Sequence, residues 1–231
     1  MRRLASICAL IAMCAVAAPA ANGAPALHGA GVASARSVRV VRCRTEFGVA
    51  PGNVAVPSRL VVRGSPRSTA GLVAYTNTNL FLIGPAHMAC SGEVGADGNS
   101  TVLVWQRGQG SPRPHSHGRA LSLTLDPACA FCRAVEACPF FPSFASKLGF
   151  PCTSRIPRAE TVTYLSPHAY DFVDPPGVRG DGWPSGGHYP ADGVVGITRK
   201  YEEVYRSTCT LSARKGGTCA VSLNDVLARY G

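Results

Sequence analysis

The chain has 231 residues, ten cysteines and a formal charge of +10. That length carries one domain with a real hydrophobic core, or at most two small ones. No run after the N-terminus approaches the ~20 apolar residues of a membrane span, so a transmembrane segment is excluded once the leader is removed.

Residues 1–26 have the pattern of a cleaved signal peptide. Arg2 and Arg3 form a positive head, Leu4 to Ala18 is an uncharged apolar stretch of secretory length, and small-residue cleavage options follow at Ala20, Gly23 and Ala26. Cys14 follows Met13 and Cys8 follows Ile7, which argues against lipoprotein acylation. The expected location is therefore secreted, in the extracellular or cell-envelope space. Residues 27–36 read as a disordered lead-in, and 37–231 as a single secreted, disulfide-rich domain. Loss of Arg2 and Arg3 lowers the formal charge from +10 to +8. The remaining excess is concentrated in Arg36, Arg39, Arg42, Arg44, Arg59, Arg63 and Arg67, whereas residues 159–203 lean acidic.

In chain order, alternation and breakers predict strands at Ser37–Phe47, Arg59–Arg63, Gly71–Thr76 and Asn79–Ile83. A hairpin is expected from Cys90–Gly95 to Ser100–Gln106, turning through Ala96–Asn99. Arg119–Leu125 alternates with Leu121, Leu123 and Leu125 on one face. Asp126 then reads as an N-cap with Pro127 at the first helical position, predicting a helix over about 126–138 that buries Ala128, Phe131, Cys132, Val135 and Cys138. Strands return at Glu160–Leu165, Ala169–Val173, Gly193–Thr198 and Glu203–Leu211, and a last helix spans about 219–230. The expected fold is an α+β, mostly antiparallel, β-rich single domain with two short helices.

Eight cysteines remain after Cys8 and Cys14 leave with the leader: Cys43, Cys90, Cys129, Cys132, Cys138, Cys152, Cys209 and Cys219. An even number in an exported chain predicts four disulfides. Cys209 closes a strand and Cys219 opens a helix across a Gly-Gly turn, which makes them the best-defined pair. Cys132 and Cys138 point to different sides of a continuous helix and should not join. Cys43 and Cys90, both on β-like segments, join each other or the helix cysteines.

Four constellations bear on chemistry. Cys129-Ala130-Phe131-Cys132 opens a helix, where the N-terminus lowers a thiol's pKa, yet no βαβ unit surrounds it and structural partners stand close by. The same cysteines with Cys138 and Cys152 have a zinc-like spacing that an oxidising compartment disfavours. The Gly/Pro-rich loop 174–192 offers Asp181, Trp183, Ser185, His188, Tyr189 and Asp192 as a candidate binding loop, with Trp183 and Tyr189 as flat contacts. Ser185, His188 and Asp192 have the residue types of a catalytic triad but lie within eight positions of one loop, without the rigid scaffold a triad needs. Asp171, Asp174, Asp181 and Asp192 lack the spacing of a calcium loop. His115 and His117 share one side of an extended segment but have no third ligand nearby in sequence.

Arg39, Arg42 and Arg44 are the candidate polyanion contacts. Interleaved aromatics for base stacking are absent and the chain leaves the cytoplasm, so nucleic acid is excluded as the biological partner. No cofactor and no metal are implied. The sequence thus points to a secreted, non-catalytic binding domain whose partner is an anionic envelope polymer or another extracellular protein. The rival expectation is a small secreted enzyme, either a thiol–disulfide oxidoreductase using Cys129 and Cys132 or a hydrolase using His188.

Overall fold

A computed structural model describes residues 34–48, 54–109, 119–177, 189–211 and 216–231. The expected leader and most of the expected lead-in fall outside these residues, but β1 begins at Ser34, inside the stretch read as disordered. It starts there because Ser34, Ala35 and Arg36 pair with Gly64, Arg63 and Val62 of β3.

Among the described residues, twelve strands form two sheets. The smaller has the order β3 (Arg59–Gly64), β1 (Ser34–Arg42), β4 (Leu72–Thr76), β5 (Phe81–Pro85). The larger runs β2 (Arg44–Phe47), β6 (Ala89–Val94), β7 (Ser100–Trp105), β8 (Ala120–Asp126), β12 (Val204–Cys209), β11 (Ala191–Ile197), β10 (Ala169–Asp174), β9 (Thr161–Ser166). All neighbours are antiparallel except β1–β4 and β2–β6. Cys43 breaks what the sequence presents as one strand, sending β1 into one sheet and β2 into the other.

Among the described residues four helices accompany the sheets: α1 (Pro66–Thr69), α2 (Ala130–Ala137), α3 (Pro142–Lys147) and α4 (Gly216–Tyr230). Two were not expected. The hydroxyl of Ser65 caps α1 by accepting the Ser68 N–H, and proline stands in the first turn of both α1 and α3, where its missing N–H costs nothing.

The helix expected over 126–138 starts four residues later. Asp126 remains in β8, opposite Val204, so the cap falls to Cys129. The expected buried face is also corrected. Phe131 and Val135 are 60% and 52% exposed, while Ala134 and Ala137 are buried. Small side chains let α2 sit close to α3 and the sheet, and alanine satisfies that contact where phenylalanine would hold the helix away.

The main core joins both sheets to α4 through Tyr75, Leu82, Val104, Leu123, Tyr205 and Val226. The opposite face of the larger sheet packs Phe172, Val195, Ile197 and Val204 against Ala137, Phe140 and Phe141. β5 is an edge strand beside α4, and the Tyr230 hydroxyl accepts the Phe81 N–H at 3.0 Å, which occupies a donor that an open edge would leave free. Four disulfides join Cys43–Cys90, Cys129–Cys132, Cys138–Cys152 and Cys209–Cys219. The C-terminal pair is the one the strand–turn–helix pattern singles out, and Cys132 does not join Cys138.

Candidate binding cleft

The end of the larger sheet nearest α3 is built from two turns. In the β9–β10 turn, the His168 N–H donates to Ser166 Oγ. The His168 carbonyl then accepts the Ile197 N–H at 2.9 Å, which ties this turn to the end of β11. The β11–β12 turn closes on itself through Thr198, whose hydroxyl accepts the Glu203 N–H and whose carbonyl accepts the Glu202 N–H. Between these turns and α3 lies a cavity of about 600 Å³, within the usual range of small-molecule sites.

Its walls are aromatic. Phe140 and Phe141 follow α2, and Tyr170 stands on β10. The Phe141 and Tyr170 rings meet edge to face with centroids 5.0 Å apart, and Tyr164 meets Tyr170 in the same way at 5.5 Å. Tyr164 is 59% exposed, so the aromatic surface continues out of the cavity onto edge strand β9. Beneath, the Arg206 guanidinium lies near both Phe140 and Phe172 and donates to Glu136 Oε2 at 2.7 Å. That ion pair ties α2 to β12 and fixes the aromatic floor.

The rim is polar and mostly cationic. Lys147 pairs with Glu202 at 2.8 Å, and this contact holds the exposed Glu202 carboxyl below its ordinary range. The Glu202 carbonyl also accepts from Arg133 Nη1 at 3.2 Å. Arg199 lines the cavity with no ion pair among the described residues. The cleft thus offers flat apolar faces below and uncompensated positive charge above.

Asp181, Trp183, Ser185 and His188 lie outside the described residues, as do His115 and His117. Tyr189 sits under the Arg119 guanidinium, 5.0 Å from its ring centroid. Asp192 is on β11, diagonal to Asp171 on β10, five residues or roughly 17 Å from the cleft end of that strand. Burial raises both carboxyls, and Asp171, with Asp192 as its charged neighbour, is pushed up to about 6.

Arg39, Arg42 and Arg44 do not form one strip. Arg39 stands opposite Arg59 on the outer face of β1–β3, Arg42 closes β1 beside Thr76, and Arg44 lies in the other sheet opposite Ser91. The cysteines with zinc-like spacing are joined as disulfides. Among the described residues, no group of three or more His, Cys, Asp or Glu is placed to hold a metal, and no helix is long and apolar enough to cross a membrane.

Sequence reasoning missed Phe140, Phe141, Tyr164, His168, Tyr170 and Arg199. The run Pro139-Phe140-Phe141-Pro142 was the available signal, since paired aromatics between prolines have no helix or strand to bury them locally. Comparison with protein-family models, with curated proteins and with solved structures finds no match.

Proposed function

We propose that this chain is an exported binding domain, freed of residues 1–26, that holds an acidic glycan of the cell envelope in the cleft between α3 and the β9–β10 and β11–β12 turns. The observation that carries this reading is the pairing of an aromatic floor with Arg199 on the rim, which forms no ion pair among the described residues. Sugar rings present apolar C–H faces that pack on aromatic rings, and a carboxylate or phosphate substituent meets the guanidinium in charge-assisted hydrogen bonds. Export is supported by the leader pattern and by four disulfides, which persist in oxidising compartments. A second cationic contact is Arg39, whose direct partner across the β1–β3 ladder is Arg59. Like charges facing each other repel in isolation, and a polyanion lying across them would relieve that cost.

The test is calorimetric titration of the secreted protein with a polyuronate oligomer, a glycerol-phosphate polymer and a neutral glucan. Saturable, salt-sensitive binding to one of the acidic probes is expected. Arg199→Gln and the exposed-ring variant Tyr164→Ala should each weaken it by about tenfold. Equal binding of the neutral glucan, or binding unchanged in both variants, would overturn the assignment.

A further inference from the structure

We propose that the Cys129–Cys132 disulfide at the head of α2 is a thiol–disulfide exchange site that accepts two electrons from a dithiol of another exported protein. The proposal is independent of the cleft. It starts from what this bond does not do. Cys43–Cys90 spans 47 positions and joins the β1–β2 break to β6, Cys138–Cys152 spans 14, and Cys209–Cys219 spans 10 and joins β12 to α4. Cys129–Cys132 spans three, within a single helical turn. It links no element to another, and loop closure gives it the smallest stabilising effect of the four.

Its surroundings are those of a reactive pair. Cys129 is the N-cap residue of α2, and its Sγ accepts the Cys132 N–H at 3.0 Å. A thiolate formed at Cys129 keeps that donor and sits at the positive end of the helix, so the reduced form is stabilised. Both cysteines are partly exposed, whereas each of the other disulfides has at least one buried cysteine. Phe131, inside the motif, and Val135, one turn on, present an exposed apolar surface. Phe150 packs edge to face on Phe131, with centroids 5.4 Å apart. That surface fits the apolar residues flanking a cysteine in an incompletely folded chain. Asp126, three residues before Cys129, is 4% exposed, and its Oδ1 has no hydrogen-bond partner among the described residues. A buried carboxyl oxygen with free acceptor capacity therefore precedes the helix head.

The exchange balances as follows. One partner thiolate attacks Cys129 Sγ, the Cys129–Cys132 bond breaks, and Cys132 leaves as a thiolate that takes up a proton. The second partner thiolate attacks the partner's sulfur in the mixed disulfide, and Cys129 leaves as the thiolate held by the helix N-terminus. The partner loses two electrons and two protons and gains a disulfide. The motif gains both electrons and one proton, and the other proton passes to solvent.

The experiment uses the secreted chain equilibrated against graded glutathione redox mixtures, then alkylated and peptide-mapped. Cys129 and Cys132 should open together at a reductant level at least about tenfold below that needed for the other three disulfides, with the far-ultraviolet spectrum unchanged. Reduction of this pair only alongside the others would overturn the proposal. A second arm treats Cys132→Ser with glutathione disulfide. A mixed disulfide on Cys129, with release of one glutathione thiolate, supports the site, and an unreactive Cys129 thiol overturns it. In a third arm, Phe131→Ser should slow oxidation of a reduced two-cysteine peptide with apolar flanks while leaving exchange with glutathione unchanged. An equal effect on both, or on neither, would overturn the assignment of a protein dithiol as the substrate.

Discussion

The ring of Phe172 occupies the space above Gly193, its direct partner across the β10–β11 ladder. A Cβ on Gly193 would collide with Cζ, Cε1 and Cε2 of that ring. Phe172 is fully buried and belongs to the packing beneath the cleft, so it has no room to swing aside. Gly193→Ala should therefore destabilise the protein by about 2–3 kcal/mol, through overpacking rather than any lost contact. Urea unfolding should show a lower midpoint with an unchanged slope. A midpoint equal to that of the parent would mean that the ring relocates freely.

Gly196 repeats the relationship on the opposite face, where a Cβ would meet the Tyr205 hydroxyl and the His168 carbonyl. That carbonyl accepts the Ile197 N–H which ties the two cleft turns together. Gly196→Ala should thus lower both stability and cleft affinity. Gly193→Ala should affect affinity less, because no turn hydrogen bond lies in the path of its new Cβ. Paired calorimetry on the two variants distinguishes them, and identical affinity losses would show that general loosening alone is responsible.

Asn77 closes the gap between the two sheets. Its Nδ2 donates to the carbonyls of Glu93 and Thr101, each at 3.0 Å, and lies 3.1 Å from Ser100 Oγ. Its Oδ1 accepts the N–H groups of Asn79 and Leu80. The side chain is fully buried, so removing it strands several backbone groups at once. Asn77→Ala should cost about 2–4 kcal/mol. Asn77→Asp should cost at least as much, because an acceptor-only carboxylate would face two carbonyl oxygens. A thermal melt within about a degree of the parent's would show that water replaces these bonds without penalty.

The strand pattern was legible because alternation is a local property. Arg119–Leu125, Ala169–Val173 and Glu203–Leu211 each place apolar residues at period two, and each is a strand within a residue or two of its expected limits. The start of α2 was not legible. Asp126-Pro127 has the chemistry of a cap, and only pairing with Val204, 78 positions away, keeps Asp126 in the sheet. The helix face was ambiguous for a related reason: Phe131 and Val135 form one apolar stripe, Ala134 and Ala137 another, and only the closeness of α3 selects the small residues. The cleft was hidden because Phe141, Tyr170 and Arg199 come from three separate segments. Loop 174–192, by contrast, drew notice through composition alone.

Asp126 gives the fold a pH dependence of unusual sign. Desolvation, followed by the charges of Glu136 and Asp97, pushes its carboxyl up to about 6, and burial raises Asp171 in the same direction to about 6. An acid whose folded pKa exceeds its unfolded value holds its proton more tightly in the folded state. Between about pH 4 and pH 6 the folded protein thus binds more protons than the unfolded chain, and stability from these groups falls as pH rises. Asp126→Asn removes the penalty of an ionised buried carboxylate and should stabilise the protein at pH 7 by about 1–3 kcal/mol, with little effect at pH 4. Urea titrations of parent and variant at pH 4, 5, 6 and 7 check this. A gap between them that fails to widen with pH would refute the assignment.

The disulfides should rank by the length of chain they close and by what they join. Chain entropy assigns about 4 kcal/mol to a bond spanning 47 residues, such as Cys43–Cys90, and about 3 kcal/mol to one spanning ten, such as Cys209–Cys219. The larger value belongs to the bond at the break between β1 and β2, where the chain passes from the smaller sheet to the larger. Cys43→Ala with Cys90→Ala should therefore lower the melting temperature most, and it should loosen the packing of Tyr75 and Leu82 against the larger sheet. Cys209→Ala with Cys219→Ala should instead free the first turns of α4 while Leu223 and Val226 hold the rest in the core. Hydrogen exchange separates the two outcomes. Faster exchange across β4 and β5 is expected in the first double variant, and exchange confined to the N-terminal part of α4 in the second. Reversal of the two melting temperatures would show that native packing, rather than loop closure, sets the worth of each bond.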